Sequence, residues 1–491
     1  MPPQIALGLC LAGMAWLLIR DIRNNPNVSH ALWIPITWIC ITGSRLPSEW
    51  LSGGVTSMAS AEAYLEGSPV DRNVFLFLIV SGLVIVLSRK VSWQVLIAGN
   101  VVVAVFLLYT FVSIAWSDFP LTAFKRWHKV FGHVIMALVV YTEKDPDKAF
   151  RALFRRCGYI LVPLSVVFIK YYPLLGRGFD IWTGVAFNVG VTTNKNTLGN
   201  QCLVLGLFFL MSLFAVSERQ KMDKLINLVF LGTIGWLLSI AHSASSLAAT
   251  VMGAVVIIGM KVPALKRHFT WLLVVTTLIA GGLQLSINLK DSVIEGLGRD
   301  TTLTGRTELW EELVKIHTNP VIGVGFESFW LGERVDGLWR KFWWKPNQAH
   351  NGYYEMYLNL GAIGVLLQLG MILSCYMKAR RQMLIEPGTD DPARLAAAEV
   401  APFRLAFALG LAAFNLTDAT FKAIHMSFFV FFMVAIEYEV QRQQAVAAPA
   451  LKPLGSTARK TPSFRMKTGD RRPQPSVSGV PSFRQTDHRR V

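Results

Sequence analysis

Charge is scarce in this chain. Asp, Glu, Lys and Arg together supply 16% of its 491 residues, against roughly 25% in typical globular proteins. That leaves too little polar surface to cover a soluble fold of this size, while 53% of the residues are hydrophobic and the mean hydropathy is +0.42. Paired cysteines are missing too. Cys10, Cys40, Cys157, Cys202 and Cys375 lie in or beside apolar segments with no C-x-x-C spacing, so neither a zinc site nor a disulfide framework is expected. The apolar run from Ile5 to Ile19 has no preceding basic region and no obvious cleavage site, and it reads as a retained helix rather than a signal peptide. The glycines of GVGF, from Gly323, follow no dinucleotide-binding strand and mark only a turn.

What the chain does have is a succession of apolar runs of near-membrane length, each suited to about 30 Å of hydrocarbon. The expected fold is an all-α polytopic membrane protein with about 12–13 transmembrane helices. Thirteen candidate spans centre near Gly13, Ile36, Val80, Val103, Met136, Val167, Gly206, Gly232, Val255, Ala280, Gly364, Leu409 and Phe431. Residues 1–100 hold the N-terminal spans, 101–440 a transmembrane core with an external loop at 288–352, and 441–491 a tail.

The net charge of +17 is carried partly by that tail, where ten basic residues from Lys452 onward face only Asp470 and Asp487. Rich in Ser, Pro, Gly and Gln, the tail is expected to be disordered and cytoplasmic, where basic residues are retained beside anionic lipid. A nucleic-acid partner is therefore not implied. Threading back from the tail places five basic segments inside: Arg89-Lys90, and those beginning at Glu143, Ser217, Lys261 and Lys378. Their agreement supports one topology. It leaves Arg45–Asn73, Ser117–Lys129, Gly176–Thr197 and Asn288–Asn351 outside, with cations that the topology rule does not predict there.

Three of these outer segments carry candidate chemistry. In SDFPLTAFKRWHKVFGH, Pro120 suits a first helical turn, and Thr122, Arg126, Lys129 and His133 then share one face. Arg126 and Lys129 either snorkel to the surface or line an anion site where the helix enters the membrane. In GVTTNKNTLGNQ, Asn194, Lys195 and Asn196 gather donors at a helix start, as an anion site or as ordinary caps. In DTTLTGRTELWEELVKIHTNPVIGVGFESFW, Leu309, Trp310, Leu313, Val314 and Ile316 form an apolar stripe that Pro320 ends, and Thr304 caps the helix. Arg306 then sits in the first turn, against the helix dipole. A local rule broken without local benefit points to function, here to phosphate. Finally AHNGYYEMYLNLGAIG opens a membrane helix with His350, whose titration range suits a general base. Interfacial anchoring by its aromatic residues is the structural alternative.

Taken together, NPVIGVGFESFW followed by AHNGYYEMYLNLGAIG resembles the hallmark pair of the O-antigen ligase/polymerase family, the bacterial Wzy/WaaL-type enzymes. GVTTNKNTLG and TLTGRTELW further resemble its exopolysaccharide-polymerase, ExoQ-like branch. The resemblance runs over roughly residues 100–440 in motif order. It implies a metal-free, cofactor-free transfer of glycan from a polyprenyl (undecaprenyl) diphosphate carrier to an acceptor glycan at the periplasmic face of the inner membrane. His350 would activate the acceptor hydroxyl, and Arg126 and Arg306 would hold the diphosphate with help from Lys129 and Lys195. Asn194, Asn196, Asn351 and Tyr353 would support them, and export or chain-length proteins are candidate partners.

The resemblance favours polymerase over ligase. A metal-dependent glycosyltransferase would need an outer acidic pair, but Asp145/Asp147 and Asp390/Asp391 both thread inside. A transporter or flippase would place its unusual polar groups at mid-membrane, whereas here they gather at one face.

Overall fold

The computed structural model describes residues 1–53, 67–179, 184–216, 220–287, 305–384 and 392–437. The tail from 441, Thr304, the Asp390/Asp391 pair and the first part of the 288–352 loop lie outside the described residues.

The chain folds as helices in series: α1 Pro3–Asn24, α2 Trp33–Thr42, α3 Pro69–Ser88, α4 Trp93–Gly99, α5 Val101–Val112, α6 Pro120–Tyr141 and α7 Pro146–Tyr171. A two-stranded antiparallel hairpin follows, β1 Arg177–Phe179 and β2 Ala186–Asn188. Then come α8 Lys195–Phe214, α9 Lys221–Ile240, α10 Ala244–Gly259, α11 Pro263–Ile287, α12 Arg306–Lys315, α13 Glu333–Lys341, α14 Gly352–Met383, α15 Pro392–Phe414 and α16 Met426–Ala435. Single α-turns at Pro47–Leu51 and Pro173–Gly176 and 3-10 turns at His30–Leu32 and Ser113–Trp116 complete the described helices. Proline opens α1, α3, α6 and α7, where its missing N–H has no helical partner to lose. Side chains of Asp145, Asn194, Asn351 and His425 cap the first turns of α7, α8, α14 and α16.

All thirteen expected span centres lie on helices. Among the described residues, seven helices are each long and apolar enough to cross a membrane, and α4 with α5 makes an eighth bent by 93°. The other five centres lie on helices outside that set. Helices α2 and α16 have ten residues each and α10 sixteen, too short to cross about 30 Å alone at about 1.5 Å per residue. The first half of α6 carries Lys125, Arg126 and Lys129.

Contacts sort the connecting segments onto two ends of the bundle. At one end Arg89 pairs with Glu143, Arg151 with Glu399 at 2.9 Å and Arg20 with Asp223 at 2.6 Å, while Arg380 reaches the Arg267 carbonyl at 2.6 Å. These pairs join the basic segments that the threading placed on one side. Asp145 lies at this end, on Lys148. At the other end Ser48 bonds Asp71, Arg334 pairs with Asp118 at 2.7 Å and Arg306 reaches the Thr417 carbonyl. His350 belongs to this second end.

Two expectations about this end change. First, α14 is not one continuous helix, because Gly361 breaks it with φ +63. Second, the turn from Pro320 to Phe326 does more than reverse the chain, since it docks backbone to backbone on that break. Val324 and Gly325 donate to the carbonyls of Leu358 and Asn359 (3.3 and 2.9 Å), and Ala362 and Ile363 donate to those of Pro320 and Val321 (2.9 and 3.2 Å). Tyr109 donates to the Leu360 carbonyl. Broken backbone at membrane depth persists only where protein satisfies it. Only glycine allows this contact: a Cβ on Gly361 would lie 2.2 Å from the Val321 carbonyl carbon, and one on Gly323 2.4 Å from Asn359 backbone.

Candidate functional site

Helix α12 begins at Arg306 behind Gly305 (φ +78), which has no side chain to cap the first turn. The expected cap, Thr304, lies outside the described residues, but the arginine occupies the first turn as expected. Leu309 and Leu313 bury their side chains against Phe329, Trp330, Val335 and Leu358. Val314 is 75% exposed and leaves the expected stripe, because it lies about 100° around the helix from Leu313. The helix ends at Lys315, before Pro320 is reached.

One turn beyond Arg306, Trp310 donates its indole N–H to the Ala349 carbonyl at 2.7 Å. The Ala349 N–H is held in turn by the Glu355 carboxylate at 2.8 Å, which also accepts from Trp330 at 2.8 Å. His350 is thereby fixed between two anchored neighbours, since Asn351 caps α14 by accepting from Tyr353 and Tyr354. Four described non-glycine residues have positive φ, and Glu327, Lys345 and His350 are three of them. Such conformations cost about 1–3 kcal/mol each and cluster at functional sites.

The His350 imidazole lies beside Gln348, with Nδ1 3.2 Å from its amide nitrogen. Burial first, then the cations Arg306 and Lys422, push its pKa down to about 3. It is therefore a neutral imidazole at ordinary pH, with a lone pair to accept a proton. An arriving dianion would offset both cations and make it a stronger base. Asp418 stands among the same groups, its carboxyl pushed up by burial and pulled down by Arg306 and Lys422.

Arg126 joins from α6 through Glu327. Its guanidinium donates to the Glu327 carbonyl and lies 4.0 Å from the carboxylate, which itself accepts from Ala423 N–H. The adjacent Lys422 donates to the Asn347 carbonyl at 3.3 Å and stands 4.0 Å from Glu355. A cavity of about 10 Å³ lies between Glu327, Glu355, Asn359, Phe421 and Lys422, close to the room one water needs.

The fold thus brings His350, Arg306 and Arg126 into one connected region, but not all the expected residues. Lys195 lies over the Phe187 ring at 5.2 Å, Asn194 caps α8 through Thr197, and Asn196 accepts from Ser243. That cluster belongs to the hairpin and the start of α10. Lys129 lies over Phe75 at 5.4 Å but stays within electrostatic reach of Arg126 and Glu327 at the edge of the connected region, while His133, buried on the same helix face, accepts from Trp38. Tyr353 donates to the Ala412 carbonyl, tying α14 to α15. Sequence reasoning missed Lys422, Glu327, Glu355 and Asp418. For Lys422 a signal was available: the turn between the last two spans threads outside, where a lysine is out of place.

Residues 226–369 match the family model described as O-antigen ligase. The match includes Arg306 and His350 and stops short of Lys422. The chain is also similar to the exopolysaccharide production protein ExoQ of Rhizobium meliloti (strain 1021), with 24% identity over 323 residues, covering 62% of this chain and 70% of that protein.

Proposed function

We propose that this chain, a member of the O-antigen ligase/polymerase family by its domain at 226–369 and its likeness to an exopolysaccharide production protein, is a membrane glycan polymerase. It joins oligosaccharide repeat units carried on polyprenyl diphosphate, at the periplasmic face of the inner membrane, with the tail cytoplasmic. The observation that carries this reading is His350, held neutral on a rigid loop beside Arg306 and Lys422.

In the reaction, His350 removes the proton from an acceptor hydroxyl as that oxygen attacks the anomeric carbon of the donor sugar. A glycosidic C–O bond forms, the bond from that carbon to the diphosphate oxygen breaks, and the diphosphate leaves with the electron pair. Arg306 and Arg126 offer planar donors to the charge that develops on it. Lys422 adds a third cation. The protein's own charges suffice for this scheme, so it requires no metal.

A ligase would use the same chemistry with lipid A-core as acceptor. The likeness to an exopolysaccharide protein favours the polymerase. A deletion strain is expected to accumulate single repeat units on the carrier and to secrete no long polymer. Full-length polymer on the carrier, with lipid A-core left bare, would instead establish a ligase.

A further inference from the structure

Six cations at this end of the bundle fall into two groups. Arg126, Arg306 and Lys422 surround the His350 region. Lys170, Arg177 and Lys195 surround the β1–β2 hairpin, at the end of a groove between α7 and α9. The groove holds about 490 Å³ and is lined by Val166 and Lys170 of α7 and by Leu228, Gly232, Thr233 and Trp236 of α9. It is a furrow largely open to the surface.

The hairpin is tied to the ends of both helices that wall this groove. Arg177 donates to the carbonyl of Ile169, next to Lys170. Its strand partner Asn188 donates to the Ile240 carbonyl at the end of α9. Lys170 lies 5.6 Å from the Trp236 ring centroid. Leu228 is 57% exposed on a helix apolar enough to span a membrane, so the groove wall faces hydrocarbon. An apolar furrow with cations at one mouth is complementary to a long hydrocarbon chain ending in phosphates.

We infer that the α7–α9 groove seats a second polyprenyl diphosphate-linked molecule, its chain along Leu228 and Gly232 and its phosphates at Lys170 and Arg177. The inference rests on the polymerase reading, because a polymerase joins two carrier-linked glycans and the Arg126–Arg306–Lys422 group accounts for one diphosphate. Bulk phospholipid is the competing occupant.

The groove can be filled without disturbing the fold. A Cβ on Gly232 meets nothing within 4 Å, and neither does one on Gly235, which lies on the same helix outside the groove lining. Leucine at either position also favours the helix over glycine. The test uses full-length protein in nanodiscs with undecaprenyl diphosphate, its stoichiometry read by native mass spectrometry. Wild type and Gly235→Leu are expected to bind two molecules. Gly232→Leu should bind one, and Lys170→Ala should bind the second at least tenfold more weakly.

Two carriers retained by Gly232→Leu overturn the inference, as does equal competition by phosphatidylglycerol for the second position. A single carrier on wild type, lost in Arg306→Ala, overturns the second seat and leaves the polymerase reading standing. No carrier bound at all overturns both.

Discussion

Trp310 and Ala349 share a 2.7 Å hydrogen bond that joins the helix bearing Arg306 to the residue preceding His350. Arg306 and Trp310 are four residues apart on one helix face, so this bond helps set the spacing between the phosphate-binding candidate and the base candidate. Trp310→Phe keeps an aromatic, if smaller, side chain but leaves the Ala349 carbonyl without its partner, at a cost of about 1–3 kcal/mol. Turnover should fall roughly 10- to 100-fold with the protein still present in the membrane, as initial rates on lipid-linked repeats would show. Unchanged turnover would mean that the bond positions nothing.

His350→Ala should abolish polymer assembly at near-normal protein levels. His350→Gln keeps a hydrogen-bonding side chain without a titratable nitrogen, and it should be equally inactive. If the glutamine variant retained most of the activity, His350 would be a hydrogen-bonding group and not the base.

The low pKa of His350, about 3, also predicts a pH dependence of stability. In the unfolded chain an ordinary histidine protonates below about 6.5, while the folded site resists protonation until about 3. The unfolded state therefore binds more protons in that window, and stability falls as pH drops from about 6.5 toward 3. Thermal melts of wild type between pH 7 and pH 4 should show this loss, and His350→Gln should show a shallower one. Parallel curves would place the imidazole in solvent.

Arg306→Lys and Arg126→Lys keep the charge but lose the planar fork, so each should lower turnover at least tenfold. Chelators should leave the purified enzyme unaffected. Full complementation by both lysine variants would make these arginines anchors, and activity lost to chelation and restored by a divalent ion would contradict the metal-free scheme.

Reporter fusions at Gln474 and Gly337 should report opposite sides of the membrane, cytoplasmic and periplasmic respectively. Truncation after Ala450 should leave turnover intact. A periplasmic reporter signal at Gln474 would overturn the threading on which the sidedness rests.

Apolar length and basic loops made the helical course legible, which is why centres as different as Gly13 and Phe431 both fall on helices. Arg306 and His350 were legible because each breaks a local expectation, the one against a helix dipole and the other at a membrane boundary. Lys195 looked equivalent in sequence, but its place is set by a hairpin contact to Phe187 that no local pattern announces. Glu327 enters the site through a tertiary contact to Ala423, so its sequence neighbourhood alone does not mark it, whereas Lys422 is marked by its place in an outside turn but not by its contacts to Asn347 and Glu355. The α14 break was hidden for another reason: LNLGAIG reads as uninterrupted apolar helix unless the segment that completes it is known.

That completion limits how the protein can be dissected. Segments 320–325 and 358–363 exchange the backbone hydrogen bonds that each would otherwise lack, and neither glycine tolerates a side chain at the crossing. The two segments are thus halves of a single inheritable unit. A chimera that transplants the outer loop from a relative but keeps the recipient's α14 would separate those halves and should fail to accumulate. One that moves residues 305–364 as a block carries the joint with it, along with both Arg306 and His350. Specificity exchange among relatives is therefore feasible only in pieces that respect this joint.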